Sequence, residues 1–238
     1  MIREARVYAD ARLLARAVTE ETLRIMLQAI VERGSCNVCL SGGTTPKSLN
    51  ELWTEEYAAR FPWKQIQFFF GDERYVPADD ARSNFRMARE TLLTRVPIPP
   101  ENVHPMPTDF ERPADAAAAY ESEMRKVLGE RPEFDIVFLG VGPEGHTASL
   151  FPDSPALAEK KRWVVAVEVP AETPQRLTLT LPVLNSARNV FFLAEGSKKR
   201  EIVAAIRRDH GGDTSVYPAA RVISAGRVIW YLDQAAAW

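Results

Sequence analysis

Phe134-Asp-Ile-Val-Phe-Leu-Gly-Val-Gly-Pro-Glu-Gly-His-Thr-Ala-Ser-Leu-Phe-Pro152 opens on an unbroken apolar run and ends in a glycine-spaced loop. A run that is apolar at successive positions suits a strand buried on both faces, as in a parallel sheet covered by helices. The loop carries a carboxylate, Glu144, two residues before an imidazole, His146. In open α/β sheets ligands bind beyond the carboxyl ends of the strands, so catalytic groups are expected here. Gly140, Gly142 and Gly145 are expected to let the backbone take positive φ and come close to a ligand.

Working outward, strands and helices alternate along the chain. Asp10 reads as the N-cap of a helix in which Leu13, Leu14, Ala17, Val18, Ile25, Met26, Ile30 and Val31 recur at helical spacing, and Gly34 stops it. Strands are expected at 37–40, 66–70, 134–139, 163–169, 176–181, 190–193 and 228–232. Helices are expected through Leu49 and Trp53, from a Ser83 or Asn84 cap to Leu93, over 114–128 and over 198–207. The proline-rich piece near 97–107 reads as a connection. This order predicts one three-layer αβα sandwich with a mostly parallel sheet, spanning residues 1–238 as a single domain.

Composition narrows the function. The chain has 238 residues and a formal net charge of −2, with no basic stripe interleaved with aromatics, so nucleic acid is not an expected partner. No apolar stretch reaches the length of a membrane span, and no signal-peptide pattern opens the sequence; the expected compartment is the cytoplasm. Cys36 and Cys39 form a C-x-x-C, but within a strand. Residues three apart on a strand face opposite sides roughly 10 Å apart, too far for a disulfide. Buried structural thiols are expected, and no further Cys/His cluster accompanies them to hold a metal.

Five loops at strand ends or starts carry polar chemistry. Ser41-Gly-Gly-Thr-Thr-Pro46 offers free backbone amides, hydroxyls and a helix start, which suits a phosphate. It has neither the Walker ending nor a G-x-G-x-x-G spacing, so neither a nucleotide loop nor a dinucleotide is indicated. Gly71-Asp-Glu-Arg74 follows a buried strand, Arg176 opens another, and Gly196-Ser-Lys-Lys199 precedes a helix. Among the three histidines, His104 and His210 read as ordinary and His146 as the candidate base. No Gly-x-Ser-x-Gly elbow supplies a nucleophile, so water activated by histidine is the simpler chemistry.

These motifs, in this order, resemble those of the 6-phosphogluconolactonases, a family within a superfamily shared with glucosamine-6-phosphate deaminase. The resemblance rests on Leu40–Pro46, Gly71–Arg74 with Val76-Pro77, Ser83-Asn84, 140–152, 176–185 and 196–199. It implies a modified Rossmann-like fold and hydrolysis of 6-phospho-D-glucono-1,5-lactone, a phosphorylated sugar lactone, without metal or organic cofactor. It further implies that His146 is the base and that Asp72 and Glu144 orient it or the sugar hydroxyls. Arg74 and backbone amides would hold the oxyanion; Ser41, Gly42, Gly43, Thr44, Arg176 and Lys199 would hold the 6-phosphate, with Lys198 as the fallback. Glu144 departs from the family's usual aspartate by one methylene.

Two rival functions differ from this one at particular residues. A deaminase of the superfamily carries a second carboxylate five residues after the histidine, where this chain has Phe151. A sugar-phosphate sensor would be joined to a DNA-binding module, for which no room is expected before the first strand. A monomer is the default expectation, and 79–82 is the expected mobile segment.

Overall fold

The computed structural model describes residues 2, 4–209 and 211–238, so His210 lies outside the described residues. The elements in chain order are β1 (Glu4–Tyr8), α1 (Ala11–Arg33), β2 (Cys36–Leu40), α2 (Thr44–Glu56), β3 (Ile66–Phe70), β4 (Asp72–Arg74), α3 (Asn84–Ala88), α4 (Pro113–Leu128) and β5 (Ile136–Leu139). There follow β6 (Val164–Glu168), β7 (Gln175–Leu179), α5 (Leu181–Ser186), β8 (Asn189–Ala194), α6 (Arg200–Arg208) and β9 (Arg227–Asp233). Six strands form a wholly parallel sheet in the order β1-β9-β8-β5-β2-β3. No described helix is long and apolar enough to cross a membrane.

Both faces of this sheet are covered, which is why its central strands β5 and β8 are almost entirely apolar. On one face an edge-to-face aromatic row runs from Trp53 of α2 to Phe138 (5.8 Å), Phe191 (5.9 Å) and Tyr231 (5.0 Å). The Trp53 indole N–H donates to Thr19 Oγ1 at 3.0 Å, tying α2 to α1 on that side. On the other face Phe192 stacks on Trp230 at 4.1 Å. Tyr120 of α4 there accepts the Phe70 N–H at 3.0 Å and donates to the His104 carbonyl at 3.1 Å. The three layers expected from the sequence are therefore present.

Helix α1 begins and ends where the sequence indicated. Asp10 accepts from the Leu13 N–H at 2.8 Å, and Gly34, at φ 80°, donates to the Ile30 carbonyl. Its apolar pattern overstates the core: Leu13 is 49% exposed and Val31 87%. The two stand about five turns apart on one line, opposite the buried stripe of Leu14, Val18 and Met26. Cys36 and Cys39 are buried free thiols on opposite faces of β2, and burial pushes both thiols well above the ordinary range.

Strands 163–169 and 176–181 of the sequence reading exist as β6 and β7, but not in the main sheet. With β4 they make a separate antiparallel sheet, β4-β7-β6. The chain passes between the sheets at Gly71, whose N–H donates to Leu40 and whose carbonyl accepts from Leu179. Neither β1 nor the three-residue β4 was anticipated: β1 alternates charged and apolar residues at the sheet edge, and β4 is entirely charged. Helix α3 is also shorter than expected, because a π-helical turn takes over at 89–93.

His104 is a core histidine. It stacks on Phe69 at 4.4 Å, with Nε2 2.8 Å from Gln67 Oε1 and Nδ1 3.2 Å from Glu123 Oε1. Burial holds its pKa below the ordinary 6.5, against a smaller opposing pull from Glu123. Below pH 6.5 the unfolded chain therefore binds a proton that the folded chain resists, and stability falls as pH falls toward the lowered folded value. Thermal melts from pH 7.5 to 5 are expected to show this loss. In His104→Gln that part of the slope flattens; an unchanged slope refutes the assignment.

Candidate active site

A cleft of about 260 Å³ lies beyond the carboxyl ends of β2, β3, β5 and β8. Its wall includes Ser41–Pro46, Asp72, Arg74, Gly140–Pro143, His146, Arg176 and Lys199. Nine of the ten residues singled out from the sequence thus meet in one place. Glu144, the tenth, touches the imidazole from outside the wall. Lys199 rather than Lys198 faces the cleft, where Nζ donates to the Val141 carbonyl at 2.7 Å.

The histidine loop is closed on itself. The Gly142 N–H donates to the His146 carbonyl at 2.9 Å, and Thr147 Oγ1 donates to the Gly140 carbonyl at 2.9 Å. Of the three glycines only Gly145 takes positive φ, at 85°. Gly142 is required for space: a Cβ there would lie 2.1 Å from both Cε1 and Nδ1 of His146. Gly140 meets neither demand. Gly142→Ala must therefore displace the imidazole, and kcat is expected to fall about 10²-fold, the scale of a 1 Å misplacement. Steady-state kinetics on a variant with wild-type circular dichroism checks this, and wild-type kcat refutes it.

The His146 ring lies face to face on Phe151, with centroids 4.0 Å apart and planes 14° from parallel. Nδ1 is sealed from solvent and makes no hydrogen bond; Glu144 Oε2 stands 3.1 Å away, within ion-pair range but not aligned as an acceptor. Nε2 is left as the ring nitrogen that can serve the cleft. The sequence reading left Glu144 free to face either the imidazole or a sugar, and it stands beside the imidazole.

The cleft wall is also cationic. Arg74 of β4 and Arg176 of β7 are directly cross-strand, an arrangement that is repulsive without an anion between them. Arg176 Nε donates to the Thr173 carbonyl at 2.6 Å and Arg74 Nη1 to the Arg82 carbonyl at 2.5 Å, while Arg74 Nε is buried without a partner. Burial and, second, the Arg74 charge lower the Arg176 pKa from its ordinary value. Among the described residues Arg74, Arg176 and Lys199 form no ion pair. Beside them α2 presents its N-terminus through Gly43 and Thr44. Such a set is disposed to bind an anion.

Among the described residues Asp72 makes no hydrogen bond or ion pair with His146. Its Oδ2 accepts from Ser149 Oγ at 2.6 Å and its Oδ1 from Asn84 Nδ2 at 3.3 Å. Asn84 also presses on the phosphate-type loop, since a Cβ on Gly42 would lie 1.9 Å from its Oδ1. Glu73 points the other way, 2% exposed, and accepts from Ser83 Oγ and the N–H groups of Arg74, Asn84 and Phe85. Burial pushes its carboxyl pKa up, against those four donors. Asn84, Ser149, Glu73 and Phe151 were not singled out from the sequence as parts of the site. The split within Asp-Glu-Arg follows from the two-residue period of β4, which sends Glu73 opposite to Asp72 and Arg74. Among the described residues no three His, Cys, Asp or Glu side chains are grouped as metal ligands.

Comparison with known proteins identifies the family. A family model described as glucosamine-6-phosphate isomerases/6-phosphogluconolactonase matches residues 9–230. A 6-phosphogluconolactonase of Synechocystis sp. is 42% identical over 228 residues, covering 94% of this chain and 92% of its own. One from Mycobacterium tuberculosis is 38% identical over 239 residues, covering 97% and 96%. The crystal structure of 6-phosphogluconolactonase from Thermotoga maritima superposes with a TM-score of 0.84 at 32% identity, covering 97% of this chain and 99% of that one. With the match running through nearly every element that builds the cleft, this chain belongs to the glucosamine-6-phosphate isomerase/6-phosphogluconolactonase family.

Proposed function

We propose that this chain hydrolyses 6-phospho-D-glucono-1,5-lactone to 6-phospho-D-gluconate, a carboxylic ester hydrolysis of the oxidative pentose phosphate pathway. The observation that carries the reading is the meeting, in one cleft, of one imidazole and three cations that form no ion pair among the described residues. The relatives' shared name, at 38–42% identity over nearly the whole chain, supports the substrate.

In the mechanism, Arg176, Lys199, the Ser41–Thr44 loop and the start of α2 hold the 6-phosphate. Arg74 stands between that anion and the carbonyl, where its guanidinium can donate hydrogen bonds to either. His146 Nε2 removes a proton from water as the water oxygen bonds to C1. The tetrahedral oxyanion is held by backbone N–H groups of the glycine loop and by Arg74. Its collapse breaks the bond from C1 to the ring oxygen, and the imidazolium returns the proton to that oxygen as it leaves. Glu144 stabilises the transient imidazolium, and Asp72 accepts a hydrogen bond from a sugar hydroxyl. Anchoring the distant phosphate converts binding energy into alignment of the carbonyl.

The chain is proposed to act as a monomer, in the cytoplasm, on this small-molecule substrate and without a cofactor. Deaminase chemistry is disfavoured by Phe151, which occupies the flank of His146 with a side chain that cannot carry protons. The test is the rate of lactone disappearance, with substrate generated in situ and the spontaneous reaction subtracted. Clear acceleration of the phosphorylated lactone over unphosphorylated gluconolactone is expected. A rate no faster than the spontaneous one defeats the proposal and favours a non-catalytic sugar-phosphate sensor.

A further inference from the structure

The backbone of His146 is pinned by hydrogen bonds from its own loop, but the ring is not, because Nδ1 makes none. Rotation about the Cβ–Cγ bond of a histidine has broad, roughly two-fold preferences, so something else must fix the ring plane. Two apolar surfaces do so. One is the bare Cα of Gly142, against which Cε1 and Nδ1 lie. The other is the Phe151 ring, 7% exposed, stacked at 4.0 Å and 14°.

The local chain returns Phe151 to this position. Thr147 and Leu150 exchange backbone hydrogen bonds of 3.3 and 2.9 Å across a tight turn, with Ala148 in the left-handed region at φ 48°. The Phe151 carbonyl then accepts from the Ser154 N–H at 3.2 Å. A stacked pair fixes the plane of a ring but not its sense, since a half-turn of the imidazole keeps the same plane. Glu144, near Nδ1, distinguishes the two senses.

We propose that Phe151 is a positioning residue for the general base, holding the imidazole plane from which Nε2 addresses the lactone carbonyl, while Glu144 selects the sense of the ring. The inference rests on His146 being the base. Phe151→Leu keeps an apolar side chain but removes the flat platform, whereas Phe151→Tyr keeps the ring. The expected result is a 10–100-fold fall in kcat for the leucine variant with KM within about twofold, because the phosphate ligands are untouched. Phe151→Tyr is expected to stay within about threefold of wild type in kcat.

Folded active sites are counted by titration with 6-phosphogluconate, so that rates refer to competent protein. A purely structural role lowers the melting temperature or the number of competent sites and leaves kcat per site unchanged, and that outcome overturns the inference. An equal loss in the leucine and tyrosine variants also overturns it. If His146→Ala keeps full activity, the base assignment itself has failed. If His146→Ala is inactive and Phe151→Leu is not, only the positioning role is lost.

Discussion

His146→Ala is expected to lower kcat by about 10²–10⁴-fold, the usual contribution of a positioned general base, with KM changed little. The separation follows from the layout of the cleft. The imidazole stands on the β5 loop, while the cations stand on β4, β7 and the segment before α6. Alanine also leaves Phe151 and Gly142 facing an empty slot, so added imidazole is expected to restore part of the rate. Glu144→Gln gives the contrast. Glu144 is 40% exposed, and an ion pair so open to water is worth about 0–1 kcal/mol, or at most about a fivefold rate loss. Should Glu144→Gln match His146→Ala in its loss, the carboxylate acts directly on substrate and the roles must be redrawn. Should His146→Ala retain wild-type kcat, water activation by this residue is refuted.

How far the sequence reveals such a site depends on the range of the interactions that build it. The apolar run at 134–139 and the loop to His146 were legible because strand and loop signals are local. The Ser41–Pro46 loop was legible for the same reason, as were the caps Asp10 and Gly34. Asp72 is held by a serine 77 positions away, and no pattern within a loop signals that pairing. Ser83 or Asn84 was expected to cap the helix: Ser83 does the capping, and the Asn84 side chain turns back to Asp72. Phe151 entered the sequence reading only as a missing carboxylate, because a stacking partner has no spacing rule. The second sheet was hidden by β4, three charged residues that become a strand only when β7 lies beside them. Leu13 and Val31 show the converse error, apolar spacing that the sheet has no room to cover.

Removing the Arg176 charge is expected to cost activity without costing stability. A hydrogen bond to a charged group contributes about 1.5–3 kcal/mol, and every 1.4 kcal/mol is tenfold. Arg176→Met is therefore expected to lower kcat/KM about 10–100-fold, and more where the guanidinium grips the phosphate with two bonds. Its effect on the ligand-free protein has the opposite tendency. Arg74 and Arg176 face each other across an antiparallel pair, and the Arg74 charge outweighs the opposing pull of Asp72 or of Glu73 on Arg176, so deleting one charge relieves repulsion that offsets the lost bond to Thr173. The ligand-free variant is expected to melt no lower than wild type. Inorganic phosphate, which stabilises any protein that binds it only when folded, should raise the wild-type melting temperature and leave Arg176→Met nearly unmoved. Lys199→Met should lose the same phosphate response without gaining stability, because Lys199 lies outside that strand pair and gives up the bond from Nζ to the Val141 carbonyl. A variant that melts earlier yet still responds to phosphate makes Arg176 a structural residue and moves the anion site elsewhere. The like-charged pair is thus a cost to the empty fold that is recovered when a dianion enters, as expected where a strained site serves binding.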